Sequence, residues 1–284
     1  MQPFRWDLVT PDQLGSLLED TPEPDLWFLD DLITCAGKVL ARSGNGDLVF
    51  VGRSLDSMFD LLSGALADVE EPGVHRAALS FQRPGVATSR KWALPPLTPA
   101  EVARVREVLA DAGVTPASLA RGPRPVAFVD VVYQGSTFTQ LFEVVRDWIE
   151  DEREPWSVIR RKLRFVGVTI RRKTSPNTER WQQEEEWPAA LPARSVLNVS
   201  LDYPVWSYLG DHQVKLHRSF KPKRWFAEPE GPDHTDRTRA ALAEAVALVA
   251  RGRTRDVRRA LARAVDGEPA LAEAWLRALV VRLR

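Results

Sequence analysis

Three short runs constrain this chain most: LVFVG at 48–52, PVAFVDVV at 125–132 and RKLRFVGVTIRRK at 161–173. The first two are continuously apolar up to a polar exit. A strand buried on both faces requires this, because successive side chains point to opposite sides of a sheet. Met58, Phe59, Leu61, Leu62, Ala65 and Leu66 follow the first run at helical spacing, and positions 138, 141, 142, 145, 148 and 149 follow the second. Strand, short polar turn and helix in alternation predict an α/β protein with a mostly parallel sheet and flanking helices.

The remaining segments fit around that unit. Leu26, Phe28, Leu29, Leu32, Ile33, Ala36, Val39 and Leu40 predict a helix that SGNGD ends. RAALSF reads as a strand before a Pro-Gly turn. Thr98-Pro-Ala-Glu, with proline at the first helical position and Glu101 at the third, opens a helix to about Asp111. SVLNVSLDYPVWSYLG adds strand character, although Pro204 argues against a regular central strand. From about Asp233, Ala, Leu and Arg at helical spacing predict two or three terminal helices, packed on the core as an appendage.

Composition narrows the function classes. With 39 basic and 39 acidic side chains in 284 residues, no global field favours nucleic acid or an anionic membrane, so any basic site is local. Cys35 is the only cysteine, which excludes an internal disulfide framework and a Cys-rich zinc site. Its apolar setting, LITCAGKVL, reads as core, and the pattern suits a reducing cytoplasm. The start, MQPFRWDLVTPD, lacks a secretory pattern, and no run of about 18 uncharged apolar residues occurs, so a cytoplasmic chain without a membrane partner is expected. No GxxxxGK[ST], strand-borne GxGxxG or GxSxG is present, which argues against Walker ATPases, Rossmann dehydrogenases and common serine hydrolases.

Ligands in open α/β sheets bind beyond the carboxyl ends of strands, where helix starts attract anions. Two such loops are suitable. Gly52-Arg53-Ser54-Leu55-Asp56-Ser57 offers a glycine, a guanidinium and hydroxyls. Tyr133-Gln134-Gly135-Ser136-Thr137 follows Asp130, and Thr137 with Gln140 matches a capping box.

These residues resemble the type I phosphoribosyltransferase family, whose signature is a buried strand, two acids, a short variable loop and Gly-Ser/Thr-Thr. FVDVVYQGST carries the likeness, which covers roughly residues 26–173, and Val129 stands where the family has its first acid. The resemblance implies that Asp130 accepts ribose hydroxyls, as the catalytic acid. It implies that Gln134, Gly135, Ser136 and Thr137 bind the 5′-phosphate, and that Arg53 and Ser54 approach pyrophosphate. Magnesium would arrive with phosphoribosyl pyrophosphate, with Asp56 the nearest replacement for the missing acid. Arg83, Arg90 or Lys91 would close over the leaving group, and Tyr203, Trp206 or Tyr208 would stack on a base.

The implied organisation is a helical lead-in (1–45), a phosphoribosyltransferase-like α/β core (46–175), a hood or irregular β region (176–232) and a C-terminal helical extension (233–284). The expected partner is a small phosphoribosyl ligand, with a homodimer compatible. The alternative function is a non-catalytic nucleotide-binding regulator. A lower-ranked alternative is nucleic-acid binding through KLHRSFKPKRWF and RGRTRDVRRALARA, where cations recur. His212 and His217 are spaced poorly for a shared metal, Glu184 to Glu186 read as a solvated face, and most of the ten tryptophans read as packing.

Overall fold

A computed structural model describes residues 4–87, 92–173, 177–227 and 233–284. Helix α1 (Leu29–Arg42) leads into strand β1 (Asp47–Val51), helix α2 (Asp56–Ala65) and strand β2 (Val74–Ala77). A short antiparallel pair, β3 (Val86–Ala87) and β4 (Trp92–Ala93), stands apart from the main sheet. Helices α3 (Pro99–Asp111) and α4 (Pro116–Arg121) then precede β5 (Val126–Val131). Helices α5 (Ser136–Asp151) and α6 (Trp156–Ile159) precede β6 (Leu163–Ile170), and β7 (Val196–Leu201) is followed by α7 (Tyr203–Ser207). Three helices close the chain: α8 (Asp236–Arg253), α9 (Arg255–Ala264) and α10 (Ala274–Leu283).

The main sheet is all parallel, in the order β2-β1-β5-β6-β7. Alternation within each buried strand divides its side chains between two helical layers. Leu48 and Phe50 of β1, Ala127 and Val129 of β5, and Val166 and Val168 of β6 face α1, α2 and α7 to α10. Val49, Val51, Phe128, Leu163 and Phe165 face α3 to α6. The start of α3 is set by its sequence: the Thr98 side chain accepts the amide of Glu101, and the Glu101 carboxylate accepts the amide of Thr98, the full capping box. Pro204 sits in the first turn of α7, just past β7, an edge strand. Cys35 is buried in α1, and burial pushes its thiol up to about 12.

The terminal helices differ from the expected appendage. Helix α8 lies directly on α2, so closely that a Cβ on Gly64 would stand 2.1 Å from the Val249 carbonyl, and one on Gly252 would stand 2.2 Å from that of Leu61. Leu261 of α9 and Leu276 and Leu279 of α10 join the core around α1. Physical necessity explains this, because a parallel sheet must be covered on both faces and α1 with α2 is too narrow for five strands. Trp6, Leu8 and Leu14 pack in turn on Leu242, Ala245 and Val249 of α8. Among the described residues, no helix is long and apolar enough to cross a membrane.

The backbone contact between α2 and α8 leaves no room for a methyl group. Gly64→Ala and Gly252→Ala should each lower stability by about 1–3 kcal/mol, the usual range for overpacking. That exceeds the gain of up to about 1 kcal/mol from helix propensity. Urea unfolding midpoints check this; unchanged or raised midpoints would mean the two helices separate freely.

Candidate functional site

The connections of the sheet diverge between β1 and β5, the position at which doubly wound sheets open a crevice. From β1 the chain crosses by α2 to β2, on one face. From β2 and from β5 it crosses by α3 to α6 on the other face, toward β6. Registered pairs run from Asp47 with Val126 to Phe50 with Val129, so Gly52-Arg53-Ser54 and Asp130 leave the sheet side by side. Gly52 has φ +75° and donates to the Ala77 carbonyl at 2.8 Å, which turns the chain into α2.

Asp130 is 7% exposed. One carboxylate oxygen accepts the Val131 amide at 2.7 Å. Burial pushes its pKa up to about 8, against the opposing pull of that amide and of the Lys215 charge. At neutral pH the carboxyl is therefore largely protonated, able to donate as well as accept.

Gly135 caps the start of α5 in a left-handed conformation, φ +83°, and no side chain caps the helix. No acid lies in its first turn, so the helix supplies no anion of its own at its positive end. Ser136 and Gln134 are exposed and Thr137 is half-buried. The expected capping box does not form. Because the helix begins at Ser136, Thr137 is already inside it, and Gln140 instead accepts from Arg83 at 2.6 Å and donates to Glu143 at 2.7 Å. Trp181 lies against the glycine: a Cβ at Gly135 would be 2.1 Å from the indole, and one at Gly167 would be 3.1 Å from its nitrogen. The indole N–H donates to Asn198 Oδ1 at 2.8 Å, which fixes the ring across the ends of β5 and β6. The close approach that demands glycine at 135 is thus to a tryptophan.

A roof over the β1 loop comes from residues 213–217, which the sequence reading left out of the site. Lys215 Nζ donates to the Ser54 carbonyl at 3.0 Å and to Gln213 Oε1, while Gln213 also donates to Ser57 and Glu244. Arg53 donates to the His217 carbonyl, and His217 Nε2 donates to the Phe4 carbonyl at 2.7 Å. Burial lowers Lys215 to about 8, opposed by Asp56 and Glu244. The polar members of Gln213-Val214-Lys215-Leu216-His217 alternate, and that pattern is the one sequence signal that could have exposed them.

Beneath the roof lies a buried charge cluster. Asp56 meets Arg76 at 2.9 Å and Arg5 at 3.6 Å, and Arg5 also pairs with Asp60. Both guanidiniums stand over the Phe59 ring, 5.5 and 5.6 Å from its centre. Burial opposes the charge of Asp56, but Arg76 and Arg5 outweigh it and hold the carboxyl below its ordinary value. Arg5, Asp56 and Asp60, with Lys215 and Glu244, line a cavity of about 10 Å³. That is on the order of one water molecule, far below a nucleotide.

Several expectations change here. Asp56 cannot stand in for the missing acid at Val129, because two arginines already occupy it. Arg83 does not close over a ligand: it donates to the Pro95 carbonyl and to Gln140, which ties it to α5. Arg90 and Lys91 lie outside the described residues. Trp206 is buried with its indole N–H on the Val168 carbonyl at 3.0 Å, and Tyr208 donates to Glu244 at 2.9 Å beside Phe28, so neither is free to stack. Tyr203 remains 62% exposed, as does Tyr133 at 63%. His212 Nδ1 meets Ser207, and His217 Nε2 meets the Phe4 carbonyl, so the two rings are bound to different partners. Comparison with protein-family models, with curated proteins and with solved structures gave no match to this chain.

Two outcomes follow from this geometry. The unfolded chain loses the Asp130 proton near 3.8 and the folded chain near 8, so stability falls as pH rises across that window. Asp130→Asn, uncharged throughout, should gain melting temperature relative to wild type steadily between about pH 5 and 8; a pH-independent difference would mean the carboxyl is solvated. Gly135→Val should be destabilised by Trp181, and the double variant with Trp181→Ala should recover part of that loss. A coupling of about 0.5–3 kcal/mol in the unfolding cycle is the expected result, and none would remove the steric account.

Proposed function

We propose that this protein binds a small phosphorylated ligand, a ribose phosphate or nucleotide, at the carboxyl ends of β1 and β5. The observation that carries this reading is Asp130 and the start of α5, which no side chain caps, one loop apart on one strand end. A carboxyl that can donate or accept suits sugar hydroxyls, and a helix start without its own anion suits phosphate. Arg53 and Lys215 add positive charge beside them. Both end on carbonyl oxygens, of His217, Ser54 and the Gln213 amide, and phosphate oxygens would make stronger, charge-assisted bonds in their place. The order of the two loops along the chain, as in the phosphoribosyltransferases that it resembles, agrees with this assignment.

Phosphoribosyl transfer is the second reading, favoured by the neighbouring exits of the two loops. It demands more of the structure. Pyrophosphate leaving toward residues 52–54 would need Arg53 released from His217 and the roof lifted, and the reaction would rest on electrostatic positioning. The donor set does not suit a protein-held metal: Asp130 is one carboxyl, Asp56 is occupied, and no group of three His, Cys, Asp or Glu side chains converges among the described residues. Magnesium enters this reading only as a counter-ion carried on a polyphosphate ligand.

Calorimetric titration with ribose 5-phosphate, adenosine monophosphate and phosphoribosyl pyrophosphate, with and without magnesium, tests the proposal. Wild type should bind at least one of them. Lys215→Gln should weaken that binding about tenfold or more, the worth of one charged hydrogen bond, while Ser136→Ala should weaken it less. Absence of binding by all three to the wild type would overturn the proposal. Pyrophosphate release that depends on an added acceptor and is lost in Asp130→Asn would establish the second reading.

A further inference from the structure

We propose that the exposed face of α9 binds the phosphate backbone of nucleic acid. Arg255, Arg259 and Arg263 recur every fourth residue along this helix and are all exposed. They stand about 6 Å apart along its axis, a spacing comparable to that of neighbouring phosphates on one strand. Arg258 lies beside them, and its guanidinium donates to the Arg282 carbonyl at 2.6 Å, which brings the arginine-bearing end of α10 alongside. Residues 251–284 hold nine arginines and four acids, in a chain whose total charge is zero.

The row is set apart by its density of unpaired charge. Several other surface arginines meet carboxylates: Arg106 with Asp151, Arg121 with Glu154, Arg124 with Asp47 and Glu71, Arg171 with Asp202 and Arg172 with Glu179. Among the described residues, Arg255, Arg259 and Arg263 meet none. Arg255 is the first residue of α9, where the helix dipole disfavours a cation, and like charges four apart repel, although Arg263 in the last turn suits the dipole. A polyanion along the row would relieve the repulsion among the three.

Nucleic acid fits the face better than an anionic membrane does. A helix that lies in a bilayer surface must insert its apolar side, but Val257, Leu261 and Ala262 of α9 are buried against α1 and the rest of the core. Only the charged side is presented, as a rigid row suited to backbone contacts rather than base readout.

Fluorescence anisotropy with a labelled 20-nucleotide single-stranded RNA, over a series of salt concentrations, tests the proposal, with vesicles containing phosphatidylserine as a second probe. The wild-type chain should bind the RNA at low salt, and affinity should fall steeply with salt. The triple variant Arg255→Gln, Arg259→Gln, Arg263→Gln should lose at least tenfold in affinity at low salt. Its salt slope should be shallower by about 2, roughly 0.7 for each lost phosphate contact. Glutamine retains helix propensity, and the three single variants, each read the same way, guard against a fold defect in the triple. Arg106→Gln, a paired arginine on another surface, should bind as wild type does. RNA binding unaffected by the triple variant, no RNA binding at all, or binding to vesicles alone would each overturn it.

Discussion

A parallel sheet has two faces to keep dry, and the burial of the second organises this molecule. Helices α3 to α6 cover one face from within the alternating part of the chain. The other face takes α1 and α2 and then recruits three helices from the far end of the sequence. The backbone contact of α2 with α8 at Gly64 and Gly252 is what lets that recruited layer lie close. Because α8 is held there, Glu244 reaches Gln213 and Tyr208, and the N-terminal residues find a surface in Leu242 and Val249. Sheet coverage, the roof and the buried charges are consequences of one packing requirement.

Much of the sheet was legible because its evidence is local. LVFV, VAFVDV and the run from Leu163 to Ile170 each carry their own burial pattern, and Thr98 with Glu101 carries its own cap. Asp130 and the two loops were visible as residues at strand exits. What escaped was set by contacts distant in sequence. Thr137 and Gln140 have the letters of a capping box, but Gly135 takes the cap and Arg83 takes the glutamine. Gly135 read as a glycine kept small for phosphate, yet it is Trp181, 46 positions later, that takes the space a side chain there would need. Lys215 approaches Ser54 across 161 positions, and the alternation of residues 213–217 marks a polar face without saying which loop it covers.

The charge cluster shows the same limit in another form. Arg5, Asp56, Asp60 and Arg76 look like ordinary surface residues in the sequence, but they form a buried, mutually neutralising group on the Phe59 ring. Such a group is sensitive to partial loss, because removing one member leaves another buried and uncompensated. It also occupies Asp56 fully, whereas the Asp130 carboxyl has no charged side-chain partner in hydrogen-bond reach among the described residues.

The roof at residues 213–217 has a consequence for how the protein is made. Its bonds run to Phe4, to Ser54 and Ser57, and to Glu244, so it joins the first residues of the chain to the last third. On the ribosome, β1 and β5 emerge long before Lys215 and Glu244. Until those arrive, the strand ends at the crevice are uncovered and Arg53 lacks the His217 carbonyl. Domains complete themselves as synthesis proceeds, and here the crevice would be the last region to reach its finished form. A nascent chain would thus pass through an interval in which the sheet is folded and its carboxyl end is still uncovered.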